Sequence, residues 1–103
     1  MTDRLQQLLS MLERQPRDAF VLYGIGMEYK KTGDSAKSLE YLRRVIEVDS
    51  NYSYAYYQQG QVLEQQGDTD AARAAYLAGI DAARRSNDAH AQSELESALA
   101  LLE

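Results

Sequence analysis

Apolar residues recur along the sequence at intervals of three and four positions, a spacing that places them on one face of an α-helix. The first run ends at Pro16, because a proline steers the preceding residue, Gln15, away from helical dihedral angles. Thr2 or Asp3 is expected to cap the start of this helix. Its apolar positions are Leu5, Leu8, Leu9 and Leu12. No segment alternates between apolar and polar residues as a strand does, so the pattern predicts an all-α fold.

Turn residues separate five further predicted helices. Asp18 and Asp34 precede apolar runs, where their carboxylates can accept the free backbone N–H groups of a helix start. Gly33 is suited to the left-handed position that closes a helix, and residues 49–51 and 86–88 have the composition of turns. The residues predicted to face inward are Leu22, Ile25, Gly26, Tyr29, Leu39, Leu42, Val45, Ile46, Tyr56, Gly60, Leu63, Ala72, Ala75, Tyr76, Ile80, Ala91, Leu95, Ala98 and Leu102. We expect six antiparallel helices joined by turns of two to four residues.

A common period relates the two central parts of the chain, segments 19–52 and 53–86. The pairs that lie 34 residues apart are Gly26 and Gly60, Gly33 and Gly67, Asp34 and Asp68, and Ile46 and Ile80. A helix is therefore expected to end at Gly67, as one does at Gly33, and Asp68 is expected to cap the next helix as Asp34 does. A glycine inside a helix costs about 1 kcal/mol relative to alanine, so Gly26 and Gly60 each predict a close approach of two helices.

The repeated segment resembles the tetratricopeptide repeat, a helix-turn-helix unit with the pattern W-x2-L-G-x2-Y, then A-x3-F, then P. The first copy reads Leu22-x2-Ile25-Gly26-x2-Tyr29, then Ser38-x3-Leu42, then Ser50. The second copy reads Tyr56-x2-Gln59-Gly60-x2-Leu63, then Ala72-x3-Tyr76, then Arg84. The copies depart from the pattern where Gln59 replaces leucine, Arg84 replaces proline and Ser38 replaces alanine.

The resemblance implies a right-handed helical solenoid of antiparallel helix-turn-helix repeats, with about six helices in a single domain over residues 1–103. Residues 3–16 resemble the second half of an earlier repeat. Residues 19–52 and 53–86 form two repeats, and residues 87–103 resemble a capping helix. A repeat cannot bury its apolar face alone, and this helix count matches the roughly three units that a stable repeat protein needs.

The net charge of the chain, −5, lies entirely in its second half. Residues 1–51 hold eight basic and eight acidic side chains, whereas residues 52–103 hold three and eight. An acidic chain is a poor ligand for phosphate backbones, so nucleic acid is not expected as a partner. The sequence has no cysteine, no leader pattern near its start and no apolar run of membrane-spanning length. These features predict a cytoplasmic protein without a membrane partner.

Catalytic and cofactor chemistry finds little support in the residues. His90, the only histidine, lies one helical turn from Glu94, a spacing typical of an exposed pair on a helix surface. Scattered carboxylates without cysteine do not predict a metal site. Gly24 and Gly26 begin like a dinucleotide-binding loop, but the third glycine and the preceding strand are missing. We therefore expect no enzyme activity, no metal and no cofactor.

Aromatic residues indicate a binding surface, because the chain has eight tyrosines and its core is expected to use Tyr29, Tyr56 and Tyr76. In the family that the repeat resembles, the first helix of each unit lines a concave surface. The positions that this implies are Phe20, Tyr23, Met27 and Lys30 in one copy and Tyr54, Tyr57, Gln61 and Glu64 in the other. The aromatic members of the two stripes are one period apart, so the stripes are expected to lie side by side. Packing of these rings against neighbouring helices is the alternative.

We expect this surface to bind a peptide or a partner's helix, as in an adaptor or scaffold. Tyr23 and Met27 stand where the subfamily that clamps acidic C-termini carries a lysine and an asparagine, so an apolar or aromatic ligand is favoured over an acidic tail. The alternative function is that of a structural subunit that self-associates into a homo-oligomer through its terminal helices. The contact residues would then be Leu5, Leu9 and Met11 at one end and Leu99 and Leu101 at the other.

Overall fold

Six α-helices account for the regular structure of the chain in the computed structural model, which describes residues 3–102. They are α1 (Asp3–Arg14), α2 (Ala19–Lys31), α3 (Ser35–Val48), α4 (Ser53–Gln65), α5 (Thr69–Arg85) and α6 (Ala89–Leu102). Turns of three or four residues join them. The predicted all-α class and the number of helices are confirmed over this part of the chain.

Aspartates begin most of the helices. Asp18 Oδ1 accepts hydrogen bonds from the backbone N–H groups of Phe20 and Val21, at 3.0 and 3.2 Å. Three further aspartates each accept one from the third residue after them, at 3.0–3.1 Å, and these are Asp34, Asp68 and Asp88. The predicted caps at Asp18, Asp34 and Asp68 are therefore confirmed. Asp3 lies inside the first turn of α1 rather than before it, and the alternative cap, Thr2, lies outside the described residues.

Left-handed residues close α2, α4 and α5. Gly33 and Gly67 have φ angles of +84° and +81°, and Asn87 has a φ of +55°. The conformation suits a residue without a Cβ, and asparagine tolerates it better than most other residues do. The predicted helix ends at Gly33 and Gly67 are confirmed.

The chain divides into two compact units, Met1–Asp49 with α1 to α3 and Ser50–Glu103 with α4 to α6. The division falls in the turn between α3 and α4. The finer division inferred from the period, with a half-repeat at 3–16, repeats at 19–52 and 53–86 and a capping helix at 87–103, stays a prediction.

In the first unit, α2 packs against both α1 and α3. A Cβ at Gly26 would lie 3.1 Å from Leu42 Cγ, so the glycine permits the predicted close approach of α2 and α3. Ser38 is fully buried at the same crossing, and its hydroxyl donates a hydrogen bond of 2.9 Å to the carbonyl oxygen of Gly26. The departure from alanine at this position therefore adds a bond between the helices instead of leaving a polar atom unsatisfied.

A charged residue that the sequence pattern did not single out is also buried in this unit. Glu28 on α2 has only 6% of its surface exposed. Arg4 Nε on α1 lies 3.6 Å from Glu28 Oε2, which places opposite charges across the contact between the two helices. Because a buried carboxylate is costly without partners, this pairing favours one arrangement of α1 on α2.

In the second unit, α5 packs against both α4 and α6. A Cβ at Gly60 would lie 2.6 Å from Cζ of the buried Tyr76 ring, closer than the two groups can tolerate. Gly79 on α5 has a similar role, since a Cβ there would lie 2.8 Å from both Leu95 Cδ2 and Tyr56 Cβ. The close approach predicted at Gly60 is confirmed, and the one at Gly79 was not predicted.

Most of the residues predicted to face inward are buried, and the others are partly buried. Eight residues expected to face inward are only partly buried, and these are Tyr29, Leu39, Ile46, Tyr56, Leu63, Ala75, Ala98 and Leu102. Smaller residues that were not on the predicted inner faces are almost completely buried, at Val21, Ser38, Ala55 and Val62. Helices approach most closely at small side chains, so several of the larger side chains extend towards the edge of the contact. Tyr29 illustrates this, because its ring stacks on Tyr41 at a centroid distance of 5.7 Å.

No helix between Asp3 and Leu102 is long and apolar enough to cross a membrane. The cytoplasmic location stays a prediction from composition.

Candidate functional site

The eight residues predicted to line a groove occupy one helix in each unit. We call Phe20, Tyr23, Met27 and Lys30 on α2 the first stripe, and Tyr54, Tyr57, Gln61 and Glu64 on α4 the second stripe. Within each stripe, steps of three and four residues place the side chains on one helix face. Each stripe belongs to a different compact unit.

The first stripe ranges from an exposed ring to partly buried side chains. Phe20, next to the capped start of α2, has 71% of its surface exposed. Tyr23, Met27 and Lys30 are partly buried. Burial lowers the pKa of the Lys30 ammonium from its ordinary value, because removal from water disfavours the charged form.

The second stripe lines an open cleft formed by α4, α5 and α6, with a volume of about 410 Å³. The residues that line it are Tyr57, Gln61, Glu64, Tyr76, Ser93, Glu94, Ser97, Ala98 and Leu101. We call this the tyrosine cleft. Leu101 lies at its edge with 88% of its surface exposed, the largest value among the exposed large apolar residues of the described chain.

Three tyrosine rings pack together at the tyrosine cleft. The centroids of Tyr54 and Tyr57 are 6.4 Å apart in an edge-to-face arrangement, and those of Tyr57 and Tyr76 are 6.1 Å apart. Gln61 Nε2 donates a hydrogen bond of 3.1 Å to the Tyr57 hydroxyl. Aromatic pairs at these separations are favourable, and the buried Tyr76 anchors the cluster on the core. The cluster therefore presents a preorganised aromatic surface.

Two tyrosine hydroxyls contact carboxylates of the cleft. Tyr76 donates a hydrogen bond to Glu64 Oε2, and Tyr54 donates one of 3.3 Å to Glu94 Oε1. Burial, followed by the hydrogen bond to Glu64 and its negative charge, raises the pKa of Tyr76 above its ordinary value. Glu94 also forms an ion pair with His90 when that histidine is protonated. Both glutamates are thus oriented by tyrosines at the cleft.

Three of the eight residues predicted to line a groove lie in the tyrosine cleft, and that they bind a ligand stays a prediction. The predicted Tyr57, Gln61 and Glu64 line the cleft, and Tyr54 joins their aromatic cluster. The missed lining residues of α6 recur in steps of three and four, which is a helix-face signal, and they are Ser93, Glu94, Ser97, Ala98 and Leu101. The 34-residue period does not identify them, because α6 begins at Ala89, 36 residues after the start of α4 at Ser53.

The extra two residues come from α5, whose 17 residues exceed the 14 of α3 while the following turn is one residue shorter. A 34-residue step from Tyr57 leads to the buried Ala91, whereas a 36-residue step leads to Ser93 in the cleft. Tyr76 was assigned only to the core. It is fully buried, yet its hydroxyl reaches the Glu64 carboxylate.

Other candidate chemistry gains no support from the geometry. Gly24 and Gly26 lie inside α2, where their backbone N–H groups belong to a helix rather than a phosphate-binding loop. Among the described residues, no group of three or more histidine, cysteine, aspartate or glutamate side chains could hold a metal ion.

Comparison with known families identifies the repeat. The family profile described as Tetratricopeptide repeat matches residues 23–88, which include the whole of α3, α4 and α5 and most of α2. The chain belongs to the tetratricopeptide repeat family. It is 30% identical over 91 residues to the TPR repeat-containing protein PA0015 of Pseudomonas aeruginosa, an alignment that covers 88% of this chain and 87% of that protein.

Solved structures of tetratricopeptide repeat proteins are similar over most of the chain. A tetratricopeptide repeat domain protein from Salinibacter ruber has a TM-score of 0.80 and 31% identity, with 85% of this chain and 89% of that chain covered. PcrH, solved in complex with the chaperone binding region of PopD, has a TM-score of 0.89 at 15% identity, with 95% and 74% covered. The latter likeness concerns the fold alone. The tetratricopeptide repeat is a protein-interaction fold, and the chain is a protein-interaction module in this sense.

Proposed function

We propose that this tetratricopeptide repeat protein binds an extended or helical segment of a partner protein in the tyrosine cleft and performs no chemistry on it. The observation that carries the proposal is the cluster of Tyr54, Tyr57 and Tyr76 at an open cleft of about 410 Å³. Tyrosine rings supply large contact areas with few rotatable bonds, and aromatic residues provide much of the binding energy at interfaces.

The edge of the cleft adds an apolar contact. Leu101 is 88% exposed and Ala98 lines the same wall of α6, so a partner side chain placed over Tyr57 could remove both from water. The cleft is open, with a volume of about 410 Å³, which suits a segment that inserts one or two anchors. PcrH, which shares the fold, was solved with a segment of PopD, and this example supports a protein ligand for the fold.

The first stripe is proposed as a separate contact surface of the same kind. Phe20 is the most exposed of its members, and Tyr23 and Met27 are partly buried beside it on α2. We expect Phe20 to act as an apolar anchor for a partner at this surface of the first unit. This expectation does not depend on the tyrosine cleft, so either proposal can fail while the other holds.

Photo-crosslinking tests where the partner binds. A photoreactive benzoylphenylalanine placed at Tyr57 is expected to capture a partner from native extract. The same group at Ala74, an exposed α5 residue outside the lining of the tyrosine cleft, serves as the matched control. Equal capture at both positions would contradict the proposed site.

Calorimetry with the captured partner then measures the contribution of the rings. Tyr57→Ala is expected to weaken binding about tenfold or more, as truncation of an aromatic anchor does. Because Tyr57 packs on Tyr76, thermal unfolding of the variant must be followed, and Leu101→Ala provides a second test with little cost in stability. Tyr41→Ala, which removes a partly buried tyrosine that stacks on Tyr29 in the first unit, is the control and should leave the affinity unchanged.

Self-association is a second candidate, favoured by an apolar cleft on the opposite side of α6. Leu77, Ile80 and Leu99 line this cleft together with Arg84 and Glu96, and its volume is about 460 Å³. Of the residues predicted for this role at the other end of the chain, Leu5 is buried in the first unit and is not available, whereas Met11 is 39% exposed. Burial of an apolar face between copies would make the sedimentation coefficient depend on concentration.

Sedimentation at several concentrations distinguishes this candidate from the first. A dimer that dissociates in the Leu77→Glu variant and persists in the Tyr57→Ala variant would support self-association through the cleft lined by Leu77. A monomer over the whole concentration range would remove it.

A further inference from the structure

The tyrosine cleft carries negative charge without a compensating cation in its lining. Glu64 on α4 and Glu94 on α6 both line it, whereas none of its nine lining residues, all in the described part of the chain, is a lysine or an arginine. His90 pairs with Glu94 but lies outside the lining, and its imidazole carries positive charge only when it is protonated. The cleft therefore combines aromatic rings with two carboxylates contributed by different helices.

Tyrosine hydroxyls orient both carboxylates. Glu64 accepts a hydrogen bond from Tyr76 and Glu94 accepts one from Tyr54. A carboxylate has about four acceptor positions, so one hydrogen bond leaves the group able to accept others. Because Tyr76 is fully buried, the hydroxyl that orients Glu64 is held by the core rather than by a mobile surface chain.

The charge of the surrounding sequence reinforces that of the cleft. Residues 52–103 hold three basic side chains against eight acidic ones. Two of the three are engaged away from the cleft, since Arg73 pairs with Asp70 and Arg85 pairs with Asp81. An acidic partner segment would meet like charges in this unit, whereas a basic one would meet a complementary field.

We propose that the partner segment places a lysine or arginine side chain in the tyrosine cleft, between Glu64 and Glu94 and against the Tyr57 ring. The inference rests on the proposed function and names the chemistry of its ligand. A guanidinium or ammonium group donates hydrogen bonds to carboxylates, and it is also attracted to the face of an aromatic ring. The aliphatic stem of the same side chain packs on apolar surface such as that of Leu101.

This ligand refines the prediction of an apolar or aromatic motif. A purely apolar segment would cover two carboxylates and remove them from water without providing a partner charge, which is unfavourable. A segment that combines an apolar anchor with a basic residue satisfies both features of the cleft.

Selection from a library of random short peptides displayed on phage tests the ligand chemistry without a known partner. Peptides selected on the immobilised protein are expected to be enriched in lysine and arginine over aspartate and glutamate. Selection on the double variant Glu64→Gln/Glu94→Gln should lose this enrichment. Glutamine keeps an acceptor oxygen for each tyrosine hydroxyl, so the variant tests charge rather than packing.

Titration of one selected basic peptide measures each carboxylate. Glu64→Gln and Glu94→Gln are each expected to lower the affinity about threefold, as for partly exposed ion pairs. The matched control is Glu96→Gln, which removes the same charge from α6 at a residue of the opposite cleft and should have no effect. Binding to the unaltered protein should weaken as salt rises from about 0.05 to 0.5 M, and binding to the double variant should depend less on salt.

The outcomes separate this inference from the proposed function. Peptides that lose affinity with Tyr57→Ala but show no preference for basic residues would overturn the inference and leave the proposed function intact. Equal effects of Glu96→Gln and the two cleft substitutions would also overturn it. If the library gives no peptide whose binding depends on Tyr57, both proposals fail.

Discussion

Gly26 in the first unit faces the side chain of Leu42, whereas Gly60 in the second unit, one period later, faces the ring of Tyr76. The two glycines occupy equivalent positions in the sequence repeat and allow the same close packing of two helices. Leu42 is branched and wholly apolar, but Tyr76 carries a hydroxyl that extends beyond the buried ring to Glu64. Equivalent positions of the repeat thus form a purely apolar helix contact in the first unit. In the second unit they form a contact that also links the core to a surface carboxylate.

The two stripes differ between the units as well. Lys30 in the first unit corresponds to Glu64 in the second, so equivalent positions carry opposite charges. Both side chains are near the end of the first helix of their repeat. The shared residues build the scaffold, and the residues that differ give each unit its own electrostatic character. Breaking the glycine crossings is the most direct way to test how far the scaffolds are equivalent.

The largest difference is expected between Gly60→Ala and Gly26→Ala. A Cβ at Gly60 would lie 2.6 Å from an atom of the buried Tyr76 ring, which cannot withdraw without disturbing the core. We expect a loss of about 2 kcal/mol in the free energy of unfolding, the cost of overpacking less the gain in helix propensity. At Gly26, the 3.1 Å contact with Leu42 is milder, and propensity should offset it to within about 1 kcal/mol. Urea unfolding measures both, and similar losses would contradict the difference in packing.

Removal of the helix caps should affect the two units equally. Asp34→Ala and Asp68→Ala each delete a carboxylate that accepts a backbone hydrogen bond at a helix start. Each is expected to cost about 1 kcal/mol of unfolding free energy. Asp70→Ala, which removes an exposed acid from the first turn of α5 rather than its cap, is the control. Unequal losses for the two caps would indicate that the units differ in local stability as well as in packing.

The hydroxyl of Ser38 is expected to contribute somewhat less. Ser38→Ala removes the 2.9 Å hydrogen bond to the Gly26 carbonyl and should lower the unfolding free energy by about 0.5–1 kcal/mol. The reciprocal change, Ala72→Ser, places a hydroxyl at the equivalent position of the second unit. A gain in stability from Ser38→Ala would show that the serine does not strengthen the crossing of α2 and α3.

The smallest effect concerns the ionisation of Tyr76, which has no counterpart at Leu42. Burial and the Glu64 carboxylate raise the pKa of this phenol, so the folded chain holds its proton to higher pH than the unfolded chain does. The corresponding stability is complete below the unfolded pKa of about 10 and is lost as pH rises above it. Thermal unfolding of Tyr76→Phe should therefore lose stability less steeply above about pH 10 than the unaltered protein does. Parallel curves for the two proteins would contradict this; Tyr41→Phe is the control.

Much of the fold was predictable because its signals are local. Asp18, Asp34 and Asp68 bond to amides only two or three residues away, and Gly33 and Gly67 adopt a backbone conformation that depends mainly on the absence of a Cβ. Aspartate caps and glycine helix ends therefore produce the same local sequence pattern in each repeat. The 34-residue period then identified the equivalent positions in the two copies.

The candidate site was predictable only in part. The helix period placed Tyr57, Gln61 and Glu64 on one face of α4, and they do line the cleft. The residues of α6 that line the same cleft were not predicted, because the longer α5 shifts α6 by two residues relative to the 34-residue period. The burial of Glu28 was not predicted either, because burial of a carboxylate is unfavourable unless the fold brings a partner such as Arg4 near it.

The sequence by itself determined the helices, the caps at Asp18, Asp34 and Asp68, the turns and the glycine crossings at Gly26 and Gly60, because each depends on neighbouring residues or on a repeated spacing. Only the tertiary structure decided that Tyr76 links the core to Glu64 and that Glu94 and Leu101 complete a cleft with Tyr57. These contacts join residues 12 to 44 positions apart. Their geometry depends on how far each side chain reaches across packed helices, which no local pattern records.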